Sequence, residues 1–328
     1  MTSGAITTVP QRGFRLGPDD KPVLFAAGFV LLILLAGTGY TLFTQGNAPL
    51  LQPQYLLQQL QVGAFLGIVA AGLMVVILLG HIDLSVPWTL AAAAMMATAV
   101  GGPWAIPVGI GIGLAVGLVN GLGVAYLRVP SMIFTLGVNA VMRGLMVAHT
   151  GGFAPQTAAT ELMQYLAVAR IGGVIPVALL VWAAVSVFVV VLLTRTTLGR
   201  SIYAIGNRER AAYLSGINTN AVILIGFALS GAAAGLAGVL LAGYSTKAYQ
   251  GMGDAYLLPA IAAVVIGGTN ILGGRGRYLG TLVGVILIVL LNSVLSIMQM
   301  PEAGRQIIYG VVIVAMLLVY GRGNRVTG

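Results

Sequence analysis

An all-α membrane protein of about ten spans is the fold class this sequence predicts, on three observations. Long apolar runs recur along the chain, charge is nearly absent from them, and the basic residues gather in alternate connections. Of 328 residues, 59% are hydrophobic and 7% charged, with a mean hydropathy of +1.01. Soluble globular domains do not have this composition. The net charge of +9 is spread between the apolar runs rather than gathered in one patch, which argues against a nucleic-acid partner. The sequence contains no cysteine, which excludes disulfides, iron–sulfur clusters, thiolate-bound metal and thiol nucleophiles. Two histidines and seven acids leave few ligands for any metal, and none is expected.

Residues 1–22 read as a flexible cytoplasmic arm ahead of a permeating domain that occupies 23–328. The run Val23 to Phe43 exceeds the apolar region of a cleaved leader and reads as a first span. Nine further spans are expected at Gln61 to Gly80, Ser85 to Val100, Trp104 to Leu127, Ser131 to Ala148, Ile171 to Leu193, Ala221 to Gly243, Ala255 to Leu272, Tyr278 to Met298 and Gln306 to Tyr320. The third and eighth are short and flanked by Gly and Pro, as broken or re-entrant helices are.

With the N-terminus inside, this arrangement places Arg12, Arg15, Lys21, Arg128, Arg195, Arg200, Arg208, Arg210, Arg275, Arg277, Arg322 and Arg325 in the cytoplasm. Only Arg170, Lys247 and Arg305 fall outside, and Arg143 stays within a span. Basic residues favour the cytoplasmic side of a membrane, so both termini and the long loop 194–220 are expected there.

That loop, TRTTLGRSIYAIGNRERAAYLSGINTN, is the only long polar interior segment. Asn207 is suited to an N-cap, Glu209 to the positive end of a helix dipole and Gly216 to a C′ stop, which predicts a helix of roughly two turns. Ala211, Ala212, Leu214 and Ser215 offer a small docking face. The other reading is a solvated loop with one helical turn.

Gly109, Gly113, Gly117 and Gly121 recur every four residues on the fourth span, and Gly226, Ser230, Ala234 and Gly238 on the seventh. Small residues at this spacing let backbones approach closely, and packing within the chain is expected. An ungapped offset of 172 residues pairs Pro87 with Pro259, Gly101 and Gly102 with Gly273 and Gly274, and Asn120 with Asn292. This is the weak pattern an inverted-topology repeat leaves.

The chain has no phosphate-binding GxxxxGK[ST] loop, because Lys21 and Lys247 are followed by Pro and Ala. If ATP drives it, another chain binds the nucleotide. Three stretches stand out beside the central loop: GHIDLSVPW from Gly80, VPSMIFTLGVNAVMRG from Val129 and VVIGGTNILGGRG from Val264. Together with AIGNRERAAYLSGIN from Ala204, and in this order, they resemble the permease subunits of ribose-type bacterial ABC importers, across about Gly80 to Tyr320. The resemblance implies a protein of the bacterial inner membrane that is not an enzyme. It implies a partner ATPase that uses ATP and Mg, a periplasmic sugar-binding protein and a second permease copy, in a homodimer or heterodimer. A pentose, hexose or related small molecule would be the cargo. By the same resemblance Gly206, Asn207, Arg208, Glu209, Ala211, Ala212, Leu214, Ser215 and Gly216 form the coupling helix that docks on the ATPase.

His81 departs from that pattern, standing where the family has the second glycine of Gly-Gly-Ile-Asp-Leu-Ser. It reads as a determinant of substrate choice, as a mark of a heterodimeric pair, or as a side chain hydrogen-bonded locally at a helix break. Asp83 and Arg143 are ionisable groups within the spans, where charge is costly and suggests function. The structural alternative has Asp83 capping the third span from the preceding turn and Arg143 pairing with Asp83 or a backbone carbonyl. Ser85, Asn120, Thr135, Asn139 and Asn292 line a polar pathway or hydrogen-bond between helices. A self-contained secondary transporter or channel is the rival reading, but it needs coupling carboxylates in the spans and only Asp83 qualifies. An intramembrane hydrolase is a poorer fit, since GxSxG is absent and only His81 or His149 could serve as base.

Overall fold

Long apolar runs form helices here, because a helix satisfies its own backbone polar groups, and Gly, Pro and polar residues end them. The computed structural model describes residues 21–153 and 157–323. Residues 1–20 of the N-terminal arm, with Arg12 and Arg15, lie outside the described residues, as does Arg325, while Lys21 and Pro22 open α1. Twelve α-helices are seen among the described residues: α1 Lys21–Gln45, α2 Pro53–Leu78, α3 Val86–Val100, α4 Ala105–Ala125, α5 Ser131–Thr150, α6 Glu161–Val168, α7 Val177–Arg195, α8 Thr197–Leu214, α9 Thr219–Tyr244, α10 Leu257–Ile266, α11 Tyr278–Ile297 and α12 Glu302–Gly323. Seven are long and apolar enough to cross a membrane by length and composition; α3 and the segment Asp254–Ile266 are apolar but shorter. These two are the spans whose Gly and Pro flanks marked them as short.

Boundaries moved where local chemistry outweighed hydropathy. α2 begins at Pro53, eight residues before the expected start, because proline is well placed at a first helical position. The sixth span loses its first turn: Arg170–Ile171 and Ile175–Pro176 pair as a short antiparallel hairpin about Gly172 and Gly173, and α7 starts only at Val177. α6 was not foreseen. It is an eight-residue helix whose N-cap, Thr160, accepts from the Met163 amide at 3.3 Å.

α2 is buried all round from Gly63 to Leu78, as a core helix of a large bundle must be when it is apolar on every face. α9 is its counterpart and packs on α2, α3 and α4. The glycine ridge of α4 does meet another helix of this chain: Gly113 lies against Gly231 and Gly235 of α9, and Gly117 against Phe227 and Ala228. The residue numbers run in opposite senses, so the pair is antiparallel. The ridge expected on α9 faces elsewhere, with Gly226 against Leu79 and Gly238 against Leu90 and Ala94. α9 thus carries two small-residue faces; the second, through Gly231 and Gly235, was not recognised in the sequence.

The basic residues segregate to the two ends of the bundle. Arg128 is joined to Glu209 of α8, and the 267–277 turn that carries Arg275 and Arg277 touches α8 through Tyr203 and Asn207. Lys247 pairs with Ala158, and Arg305 with Asn292, at the opposite end.

Candidate translocation and docking site

The residues between α2 and α3 form a break that a bundle interior tolerates only if its backbone groups find partners. α2 ends in a Schellman motif: Gly80, at φ 84°, donates to Ile77 O at 2.9 Å, and His81 N donates to Val76 O at 3.1 Å. Beyond it, α5 supplies the missing acceptors. Ile82 N donates to Ser131 Oγ (3.3 Å), Leu84 N to Thr135 Oγ1 (3.0 Å) and Trp88 N to Asn139 Oδ1 (3.3 Å). One turn further along the same face, the Arg143 guanidinium lies 5.7 Å from the centre of the Trp88 ring, within cation–π range. Ser131, Thr135, Asn139 and Arg143 are each four residues apart and form one polar stripe along the broken span. Thr135, Asn139 and Arg143 were expected at the site; Ser131 was missed, although its spacing signalled it.

Asp83 lies inside this break and is 1% exposed. Its Oδ1 accepts from Ser85 N (3.0 Å) and Ser85 Oγ (2.6 Å), and its Oδ2 from Ser230 Oγ of α9 (2.9 Å). Asn120 Nδ2 donates to Ser85 Oγ at 2.7 Å and reaches Asp83 Oδ1 at 3.4 Å. The carboxylate ties the turn ahead of α3 to α4 and α9. The N-cap of α3 is Ser85, which makes no side-chain cap bond, and among backbone amides of the described residues Asp83 accepts only from that of Ser85, so Asp83 braces the turn into α3 rather than capping its first-turn amides. The expected pairing with Arg143 is not formed either: Arg143 is exposed over Trp88, and among the described residues no ion pair reaches Asp83.

His81 sits half-buried, its ring 6.0 Å from that of Phe227 and tilted. Among the described residues the ring makes no hydrogen bond, which corrects the local hydrogen-bond reading. The backbone explains why histidine is tolerated. His81 is the residue after the left-handed Gly80 and does not itself have positive φ, so no glycine is required there. Asn292 belongs to a separate cluster, where Arg305 donates to its Oδ1 at 2.8 Å and to Ser296 Oγ at 2.9 Å. It lines a cleft with Gln59, Tyr256, Glu302 and Tyr309, away from Asp83.

The polar loop 194–220 is mostly helical, because Thr196 caps α8 by accepting from Gly199 N at 3.0 Å. α8 is interrupted at Arg208, which is extended (φ −163°, ψ 97°). The short helix after it ends at Gly216 as expected: Gly216, φ 85°, donates to Tyr213 O at 3.0 Å and Ile217 N to Ala212 O at 3.1 Å. Two details differ. Asn207 is no N-cap; its Nδ2 donates backwards to Tyr203 O (2.9 Å) and across to Gly274 O (3.3 Å). Ala212 is 5% exposed and belongs to the chain's own core, so the outward face is Arg208, Arg210, Ala211, Tyr213, Leu214, Ser215 and Gly216. Leu214 is 79% and Tyr213 66% exposed on this polar tip. Glu209 pairs with Arg128, which also donates to Asn220 Oδ1 at 2.9 Å; that tether was not foreseen.

A many-helix apolar bundle with a broken span, a polar stripe beside it and a polar tip that exposes Tyr213 and Leu214 is the architecture of a membrane protein, and the relatives it resembles are transport permeases rather than enzymes. Residues 55–317 match the family described as branched-chain amino acid transport system / permease component. The ribose import permease protein RbsC of Escherichia coli (strain K12) is 38% identical over 271 residues, 80% of this chain and 84% of that protein. RbsC of Bacillus subtilis (strain 168) is 35% identical over 313 residues, 93% and 92% of the two chains. The autoinducer 2 import system permease protein LsrC of Escherichia coli (strain K12 / DH10B) is 32% identical over 267 residues, 78% and 75%. No solved structure matches. The chain belongs to this permease family.

Proposed function

We propose that this chain is the membrane-spanning subunit of an ATP-binding-cassette importer in the bacterial inner membrane, passing a small neutral sugar inward by alternating access. The likeness to RbsC and LsrC supports the cargo class. The bias of basic residues toward the α8 end supports cytoplasmic termini and a cytoplasmic α8. The chain itself binds no nucleotide in this reading; ATP and Mg act on a partner ATPase, a periplasmic sugar-binding protein delivers the cargo, and a second permease copy completes the pathway within the lipid bilayer. The α5 stripe with Trp88 lines the cargo's route.

The observation that carries the reading is the tip Arg208–Gly216, a capped helix too short to stand alone that presents Tyr213 and Leu214 outward. A gradient-driven transporter is less well supported, since the carboxylate of Asp83 is already engaged by Ser85 and Ser230. The test is reconstitution in proteoliposomes. The chain alone should show no ribose uptake under any ion gradient, and adding ATPase, binding protein and ATP should produce uptake. Leu214→Asp should lose ATPase co-purification while inserting normally. Gradient-driven uptake by the chain alone would overturn the proposal.

A further inference from the structure

Three segments that are distant in sequence meet backbone to backbone beneath the docking tip. Gly274 N donates to Leu78 O at 2.9 Å, joining the turn after α10 to the end of α2. Gly206 is pressed into that junction so closely that a Cβ there would collide with Leu78 O and Gly274 N. Asn207 Nδ2 then donates to Gly274 O, and the Tyr203 hydroxyl donates to Gly276 O at 2.8 Å. Gly273 in turn lies against the backbone of Gly80. The turn is braced internally as well: Asn270 N donates to Arg275 O at 2.8 Å, and Asn270 Oδ1 accepts from Leu272 N at 3.1 Å.

This junction has a mechanical consequence. Side chains absorb small displacements by changing rotamer, whereas close-packed backbone does not, so movement on one side must appear on the other. The extended residue Arg208 separates the junction from the docking tip by a single position. On the far side, Leu78–Gly80 leads directly into the α2–α3 break, and Gly274–Gly276 leads directly into α11.

We infer that Gly206 and Asn207, with Tyr203, form a positioning joint that transmits movement of the docked tip to the α2–α3 break and to the α10–α11 turn. The joint rests on the proposed ATPase docking, but it assigns these residues a role separate from binding the partner: they hold the permease's own loops. The contact between Arg128 and Glu209 is not the transmitting element, because both side chains are well exposed and such pairs hold weakly.

The experiment uses the full complex with its ATPase. The chain has no cysteine, so an introduced pair at Leu272, on the turn, and Ile225, on the α4–α9 scaffold, can be spin-labelled without background from this chain before the ATPase is added. Both positions are exposed. In the wild-type complex the distance between labels should shift on ATP addition. In Tyr203→Phe, which adds no bulk and lies outside the docking helix, the ATPase should still co-purify and hydrolyse ATP at its basal rate while the shift shrinks. Gly206→Ala should abolish the shift or fail to assemble, and Tyr203→Phe keeps the test decisive in that case. A Tyr203→Phe complex that retains the full shift, or a wild type that shows none with ATPase bound, overturns the joint. Loss of the ATPase from the wild type would instead overturn the docking reading.

Discussion

Replacing Asp83 separates a structural carboxylate from one that handles cargo. Asp83→Leu leaves the Ser85 amide and the Ser85 and Ser230 hydroxyls facing an apolar side chain in a site closed to water. Each buried donor left without a partner costs about 1–3 kcal/mol. The hydroxyls can turn toward other acceptors and recover part of this; the Ser85 amide cannot, so a loss of about 3 kcal/mol is expected. Asp83→Asn keeps an oxygen for Ser85 and turns its amide toward Ser230 Oγ, which can accept, so the loss should stay within about 1 kcal/mol. Ser230→Ala should fall between the two. The assay is thermal unfolding in detergent, followed by loss of the monodisperse peak, with ribose uptake measured in parallel. Equal damage from Asp83→Asn and Asp83→Leu would refute the hydrogen-bonding account. An Asp83→Asn protein that is stable but inactive would move Asp83 into the cargo route.

Ala212→Trp should destabilise the chain itself by about 1–3 kcal/mol through overpacking, because Ala212 is turned into the core; a stable variant that only loses the ATPase would restore Ala212 to the docking face. Arg143→Leu removes the guanidinium from Trp88 but leaves the Asn139 cap on the Trp88 amide. It should therefore unfold within about 1 kcal/mol of wild type and lose ribose uptake, whereas Arg143→Lys should keep part of it. Unchanged uptake in Arg143→Leu would remove Arg143 from the route.

Among the described residues, seven membrane-length helices of the ten expected spans were legible because apolar run length is a one-dimensional signal, and the shortness of α3 and α10 was legible because Gly and Pro mark interruptions locally. What the polar residues contact was not, since that depends on which helices become neighbours. Thr135 and Asn139 were singled out as polar residues in an apolar run, but nothing in the sequence said that they serve the amides of Leu84 and Trp88. The inward turn of Ala212 was hidden for a related reason. Alanine reads equally well as a docking face or as core, and only the position of α9 decides between them. Arg305 was placed at the end opposite α8, yet polarity alone did not show its bond to Asn292, which sets Asn292 in a cleft apart from Asp83.

The α2–α3 break is where these separate observations converge. A continuous helix would satisfy its own backbone but could not change shape locally; the break gives up that ladder and leaves donors to be matched elsewhere. Here they are matched by side chains of α5 rather than by a second backbone, and side-chain hydroxyls and amides can exchange partners with small rotations. The opposite holds at the lower margin of the same break, where Leu78–Gly80 is held by backbone contacts with Gly273 and Gly274. One end of the interruption is therefore held by backbone contacts and linked to the proposed docking tip, while the other is held by adjustable groups along the proposed cargo route. A histidine at position 81 in place of glycine disturbs neither end, because the position needs no left-handed backbone, its ring lies beside Phe227, and the α5 acceptors are taken by Ile82, Leu84 and Trp88.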